Sequence, residues 1–542
     1  MRLLFSIVLL KLLYISITYC SRPNIVLILA DDLGWNDVGF HGSHDIPTPN
    51  LDALAYDGII LNNYYVQPIC TPTRSCLMSG RYPIHTGMQH SVIYSAQPYG
   101  LPLNNTILPE YLNTIGYESH IVGKWHLGHY AKDYTPLKRG FKSHYGYYMG
   151  MEDYYEHTHT AGGPTSNGDW GFDFRDNERV AKELWGNYST DIFTNRAIDI
   201  IEKHDKERPL FLYFAHQAVH SANNLNTIQP PPRFLDKFEH ITNPQRRKFA
   251  GAAAALDESV GRLIESLKKQ NMLENTFIVF STDNGGPANG FDMNMASNEP
   301  LRGVKATLWE GGVRGTGFVW SKLLKKSGYV NNDLMHVSDI LPTVLRVAGY
   351  DMFKLPKDLD GFDQLDVLNG VDQGGRTEVL LNIDPIQKTS AFRMRDMKVI
   401  SGEYDSGQWD GWYKTPKFNK EATVKSLQEA NQIDYTTEIL NNLGKSLKYR
   451  KPVKIKCGPP PEKRNCFPGK HPCLFNVTED PCEYKNIAST YPKIVEQLQN
   501  RLNEYKRKMI WPLNTQVDPK GLPSNNGGVW GPWINLTKSN IL

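Results

Sequence analysis

Cysteine is scarce in this chain, with seven residues in 542. That is too few for a disulfide scaffold, so the fold must rest on a hydrophobic core. An excess of charge of one sign is missing too. Lys and Arg number 60 against 57 Asp and Glu, a formal net charge of +3. The balance argues against a nucleic-acid binder that works by neutralising phosphates. Glycine (44) and proline (34) are plentiful but follow no fixed period, which excludes collagen-like and solenoid architectures. Past the first twenty residues, no apolar run approaches the roughly 20 residues that cross a bilayer. What is present is 40% hydrophobic and 22% charged, ordinary for a globular protein and too apolar for a disordered one.

Residues 1–20 read as a secretory signal peptide. Arg2 supplies the positive end, and Leu3 to Leu13 form an apolar stretch interrupted by Lys11. Thr18 and Cys20 are the small residues ahead of a cut before Ser21. Lys11 breaks the run that a membrane anchor would need. The expectation is a protein of the secretory pathway, extracellular or lysosomal, with no membrane attachment after cleavage. Glycosylation sequons at Asn104, Asn187, Asn476 and Asn535 agree with that compartment. With Cys20 removed, six cysteines remain. Cys457, Cys466, Cys473 and Cys482 cluster in a Pro-rich stretch and can form two disulfides by any of three pairings. Cys70 and Cys76 stand apart.

Four apolar runs, at 24–30, 119–122, 209–215 and 276–281, have the character of strands buried on both faces. Helical patterns lie between them. The clearest places Phe249, Ala253, Leu256, Val260, Leu263 and Leu267 on one face, with Lys268 and Lys269 complementing the dipole at its end. The alternation predicts an α/β fold, a large and mainly parallel mixed sheet sandwiched by helices. Near residue 385 the pattern changes to short strands, around Ala391–Phe392 and Met397–Ile400. A helix with Ile494, Val495, Leu498, Leu502 and Tyr505 on one side follows. Residues 21–385 are therefore expected to form the main domain and 386–542 a smaller α+β domain.

Open α/β sheets bind ligands beyond the carboxyl ends of their strands. Asp31 and Asp32 follow the first run, Lys124 and His126 the second, His216 and His220 the third, and Asp283 and Asn284 the fourth. Asp31, Asp32, Asp283 and Asn284 offer only oxygen ligands, the set preferred by Ca²⁺ or Mg²⁺. Two adjacent aspartates also repel unless a cation sits between them. His157 and His159, in a long Gly-rich stretch, read as loop histidines in solvent.

The stretch Cys70-Thr-Pro-Thr-Arg74, continuing to Gly80-Arg81, resembles the signature of the sulfatase family, Cys-x-Pro-x-Arg followed by Gly-Arg. Further stretches resemble the family in the same order: Asp31-Asp32-Leu-Gly34, Thr48 to Leu54, Gly123-Lys-Trp-His-Leu-Gly128 and Ser281 to Gly286. Gln67 to Arg74, Leu308 to Arg314, His336 to Pro342 and Gly528 to Trp533 are similar to the arylsulfatase B (N-acetylgalactosamine-4-sulfatase) branch. The resemblance implies an alkaline-phosphatase-like fold and a calcium-dependent sulfuric ester hydrolase. It implies that a formylglycine-generating enzyme converts Cys70 to Cα-formylglycine, whose hydrate offers one hydroxyl to attack sulfur and a second to expel the sulfate.

It further implies one Ca²⁺ held by Asp31, Asp32, Asp283, Asn284 and modified Cys70. Arg74 would stand beside the hydrate, and Lys124 and Lys305 would hold the sulfate. His126 would take a proton to regenerate the aldehyde, and His220 would assist the departing alcohol. The substrate would be a sulfated glycan such as N-acetylgalactosamine 4-sulfate, or an aryl or other small-molecule sulfate, for instance a glucosinolate. The alternatives are a phosphate or phosphonate ester hydrolase of the same superfamily and a catalytically inactive binding protein. Cys76 is read as a spectator thiol on the helix after Cys70.

Overall fold

The structure, a computed structural model, describes residues 22–160, 169–371, 375–418, 435–437 and 451–536. The expected signal peptide lies outside these. Among the described residues no helix is long and apolar enough to cross a membrane.

The strand Asn24–Ala30 is buried along its whole length. Val26, Ile28 and Ala30 face one core, while Ile25, Leu27 and Leu29 face another, as the two-residue period of a strand covered on both sides requires. It lies inside a ten-stranded sheet. The five strands Thr276–Thr282, Asn24–Ala30, Leu210–Ala215, Glu118–Lys124 and Ser143–Tyr147 are neighbours in that order and run parallel. Gly317–Trp320 adds antiparallel to Thr276–Thr282 and to Ile59–Leu61, so the sheet is mainly parallel and mixed. Helices Pro49–Asp57, Ser189–Lys203 and Pro244–Lys269 cover one face through Leu54, Phe193, Leu256 and Leu263. Helices Cys70–Ser79, Leu108–Asn113 and Ile340–Val347 cover the other through Leu77, Leu112 and Leu345. The longest helix begins where the Asn243 side chain accepts hydrogen bonds from the Gln245 and Arg246 amides, with Pro244 at its first position, the arrangement that satisfies otherwise orphaned donors.

A smaller antiparallel sheet joins Glu378–Asp384, Thr389–Met394, Met397–Ser401 and Cys473–Asn476. Leu498 and Leu502 of helix Pro492–Lys508 close one of its faces over Leu380, Phe392 and Val399. The other face packs Val379, Leu381, Ala391 and Phe475 against Tyr65, Trp309 and Val313. The expected boundary at 385 is crossed in both directions. Glu378–Asp384 already belongs to the smaller sheet, because its partner is the strand that follows it rather than the large sheet. The C-terminal stretch returns to the main unit, where Trp530 is fully buried and donates from Nε1 to the His159 carbonyl at 2.9 Å.

The disulfides are Cys457–Cys482 and Cys466–Cys473. Cys70 and Cys76 are free and buried, and Cys76 sits in the apolar core beside Leu77. The sequon residues Asn104, Asn187 and Asn535 are exposed and Asn476 is half-buried.

A buried charge network fastens the smaller sheet to the main unit. Lys398 Nζ lies 2.9 Å from Glu310 Oε1 and 2.8 Å from Glu483 Oε1, all three side chains fully buried. Glu483 also accepts from the Glu310 amide at 2.8 Å, and Tyr65 donates its hydroxyl to Glu310. Glu310 has a second cation in Arg314, at 3.4 Å, whereas burial, partly offset by Lys398, pushes Glu483 up to about 7 from 4.5. Its folded value lies above its unfolded one, so its contribution to stability is complete below about 4.5 and is lost as the pH rises through about 7. Glu483→Gln should flatten that loss in thermal melts taken across the interval; an unchanged slope would contradict the assignment. Lys398→Met, which removes the ammonium group that Glu483 shares with Glu310, should destabilise the fold by about 3–5 kcal/mol.

Candidate active site

The strands Thr276–Thr282, Asn24–Ala30, Leu210–Ala215 and Glu118–Lys124 end level. Ala30 lies opposite Thr282, Leu29 opposite Ala215, and Ala215 opposite Gly123. At about 4.8 Å per strand, this register delivers Asp31, Asp32, Lys124, Asp283 and Asn284 to one edge. Gly123 is required for it. Its φ is +107°, and a Cβ there would lie 1.8 Å from the Ala215 carbonyl oxygen.

Cys70 is the first residue of helix Cys70–Ser79, which is buried throughout. Its Sγ is 3.8 Å from Asp31 Oδ1. One turn on, on the same face, Arg74 Nη2 lies 2.9 Å from Asp283 Oδ2 and 3.4 Å from Asp31 Oδ2. Lys124 Nζ is 2.6 Å from Asp31 Oδ2. Lys305 Nζ is 3.0 Å from Asp32 Oδ2 and 3.1 Å from His220 Nε2. Asn284 donates to Asp32 Oδ1 at 2.7 Å. Three acids thus face three bases, with side chains at most 3% exposed.

Burial and then the Asp283 charge push the Asp31 carboxyl well above its ordinary range. Burial opposes the ionisation of Asp283 also, but Arg74 and Lys124 outweigh it and hold that group below its usual value. Burial, reinforced by Asp283, drives the Cys70 thiol well up, which makes the unmodified side chain a poor nucleophile. Burial, then Lys124 and Arg74, keep the His126 ring neutral; burial and Lys305 lower His220 to about 4.

Hydrogen bonds assign both tautomers. His126 Nε2 donates to the Ile93 carbonyl at 3.0 Å, so Nδ1 is the bare acceptor; it is buried with no protein partner. His220 Nδ1 donates to the Ser221 carbonyl at 2.7 Å, leaving Nε2 to accept from Lys305. Asn284 Oδ1 is likewise buried without a hydrogen-bond partner. An orphaned amide oxygen beside three carboxylates, one of them resisting ionisation, suits a hard cation. Asp31, Asp32, Cys70 and His220 also converge within 4.8 Å.

The ten residues singled out from the sequence thus meet in one cluster. His216 does not join it: its ring faces Ser259 Oγ at 3.5 Å, on the helix behind the sheet. His157 and His159 are corrections, since both are buried rather than solvated. His157 Nε2 donates to the Leu184 carbonyl, and His159 pairs with Ser95 Oγ at 3.0 Å. Aromatic residues distant in sequence, Phe172 and Trp530, cover them. Two site features carried no sequence signal. Asp292 reaches Lys305 Nζ at 2.8 Å, and Gly150 abuts the His126 ring, where a Cβ would come within 2.7 Å.

Two neutral histidines and two buried ammonium groups stand with Cys70 at the carboxyl edge of a parallel sheet, the place where open α/β sheets bind ligands. A family model for sulfatases matches residues 23–350, and the chain belongs to the sulfatase family. It is 40% identical to Arylsulfatase J of Mus musculus over 95% of this chain and 80% of that one. To N-acetylgalactosamine-6-sulfatase of Homo sapiens it is 33% identical, over 60% of this chain and 62% of that one. The solved structure of Ps i-CgsB superposes with a TM-score of 0.70 at 25% identity, covering 92% of this chain and 96% of that one. The same protein has been solved with k-i-k-neocarrahexaose. The fold is the alkaline-phosphatase-like fold of sulfatases, and the chain is a sulfatase that hydrolyses sulfate esters.

Gly150→Ala should press on the His126 ring while leaving the core intact. Sulfate release should fall by about 100-fold, the scale of a small misplacement at a reacting centre, with little change in melting temperature. Undiminished turnover would show that the ring position is unimportant.

Proposed function

We propose that the chain is a calcium-dependent sulfatase whose Cys70 becomes formylglycine in the secretory pathway. Its substrate is the sulfate ester of a carbohydrate such as N-acetylgalactosamine 4-sulfate, or an aryl or small-molecule sulfate. The observation that carries this reading is the place of Cys70, with Sγ 3.8 Å from Asp31 Oδ1 among buried acids and bases. Asp31, Asp32, Asp283 and Asn284, with residue 70, would hold the ion, which when bound supplies a Lewis acid for the sulfate oxygens. The modified residue supplies a hydroxyl nucleophile in place of a thiol that burial keeps protonated.

The remaining work falls to the chain's own groups. Arg74 neutralises Asp31 and Asp283 and keeps positive charge beside the nucleophile. Lys124 and Lys305 are desolvated ammonium groups whose charge can stabilise sulfate oxygens as negative charge develops on them. His126, neutral and bare at Nδ1, takes a proton. His220 Nε2 accepts from Lys305 Nζ, so the pair can deliver a proton to the departing alcohol. Export would expose Asn104, Asn187 and Asn535 to glycosylation, and Asn476 with them, and would allow both disulfides to form.

Mass spectrometry of the peptide containing Cys70, from secreted and active protein, should show the aldehyde; an unmodified thiol would overturn the formylglycine mechanism. Chelation should abolish sulfate release and Ca²⁺ should restore it. His220→Ala should lower turnover by about 100- to 10,000-fold. Comparing an aryl sulfate, N-acetylgalactosamine 4-sulfate and a glucosinolate distinguishes the substrate classes.

A further inference from the structure

Lys305 Nζ has three partners. Asp32 (3.0 Å) and His220 (3.1 Å) belong to the buried cluster. The third, Asp292 Oδ2 at 2.8 Å, does not: its side chain is 42% exposed, whereas that of Lys305 is 3% exposed. Asp292 therefore stands on the solvent-facing side of the ammonium group.

It is not a loose surface acid. Phe291 anchors the loop against Trp409 at 5.0 Å and Tyr404 at 6.1 Å, aromatic residues that follow the smaller sheet's third strand. The Asp292 carbonyl accepts from Ser221 Oγ at 2.8 Å. Asn294 Nδ2 donates to the Val219 carbonyl at 3.0 Å and to Ser221 Oγ at 3.2 Å. Asp292 and Met293 both have positive φ, at 48° and 53°, a conformation that persists for such residues only when the surroundings impose it. The loop is thus braced on the His220 segment and on the smaller domain, and it aims one carboxylate at the sulfate-holding lysine.

We propose that Asp292 is a specificity-determining residue that selects sulfate esters whose neighbouring group is an uncharged hydroxyl and disfavours those bearing a second anion beside the scissile sulfate. This rests on the reading of Lys305 as a sulfate-binding group. A hydroxyl next to the ester can donate to the Asp292 carboxylate; a carboxylate or second sulfate meets like charge. In the free protein the same carboxylate occupies the ammonium group that a sulfate oxygen would take, so it also competes with inorganic sulfate.

The test compares kcat/KM for catechol monosulfate and catechol disulfate in the calcium-loaded protein and in Asp292→Asn. Asparagine tolerates the backbone conformation and removes only the charge. The disulfate-to-monosulfate ratio should rise about tenfold in the variant, a modest effect because the group is partly solvent-screened. Asp292→Glu should restore the discrimination. Calorimetric titration with inorganic sulfate should show tighter binding to Asp292→Asn than to the parent. An unchanged ratio in active protein, or equal sulfate affinities, would overturn the proposal. If neither ester turns over, catechol esters are not substrates and the sulfate titration still decides the role of Asp292; absence of sulfate binding to either protein would instead remove the reading of Lys305.

Discussion

Mutual neutralisation of buried charge is the constraint on which this structure depends. Asp31, Asp32 and Asp283 could not be withdrawn from water alone, and neither could Arg74, Lys124 and Lys305. Together they can, because level strand ends supply Asp31, Asp32, Asp283 and Lys124 while helix Cys70–Ser79 and the loop carrying Lys305 bring Arg74 and Lys305, with acids and bases within 2.6–3.4 Å of one another. The balance is incomplete. Asp31 resists ionisation and Asn284 Oδ1 has no hydrogen-bond partner, the two features on which the proposed cation site rests.

The same principle recurs where the two sheets meet. Lys398 from the smaller sheet is buried between Glu310 and Glu483. Arg302 is wedged between Trp309 and Trp412, at 3.5 and 4.5 Å from their rings. These contacts join the loop carrying Lys305 to the smaller domain. Phe291, set against Trp409 and Tyr404, ties the Asp292 loop to the same region. The smaller domain therefore supports the loops carrying Lys305 and Asp292 although it contributes none of the ten clustered residues.

Much of this was legible in the sequence. Continuous apolar runs marked the central strands because a strand covered on both faces has no polar side to show, and the residues just after them had to share an edge once the strands ran parallel. Legibility failed where the role of a segment depends on what packs or pairs with it. His157 and His159 look like loop residues until Phe172 and Trp530 cover them. The strand 378–384 reads as the end of one unit until its pairing with 389–394 assigns it to the next. Glu483 follows Cys482 in the cysteine-bearing stretch, and its role appears only when Lys398 and Glu310 close around it.

The sequence by itself determined the chemistry available: oxygen ligands at two strand ends, bases at two others, and one cysteine in a Cys-x-Pro-x-Arg setting. Side-chain type and local periodicity are properties of short segments, and they survive without a fold. Only the tertiary structure decided which cysteines pair, which histidine nitrogen is bare, that His216 is excluded, and that Asp292 stands over Lys305. Most of those outcomes depend on distances between residues that are not neighbours in the sequence. Such distances are set by strand register and by the packing of one domain against the other.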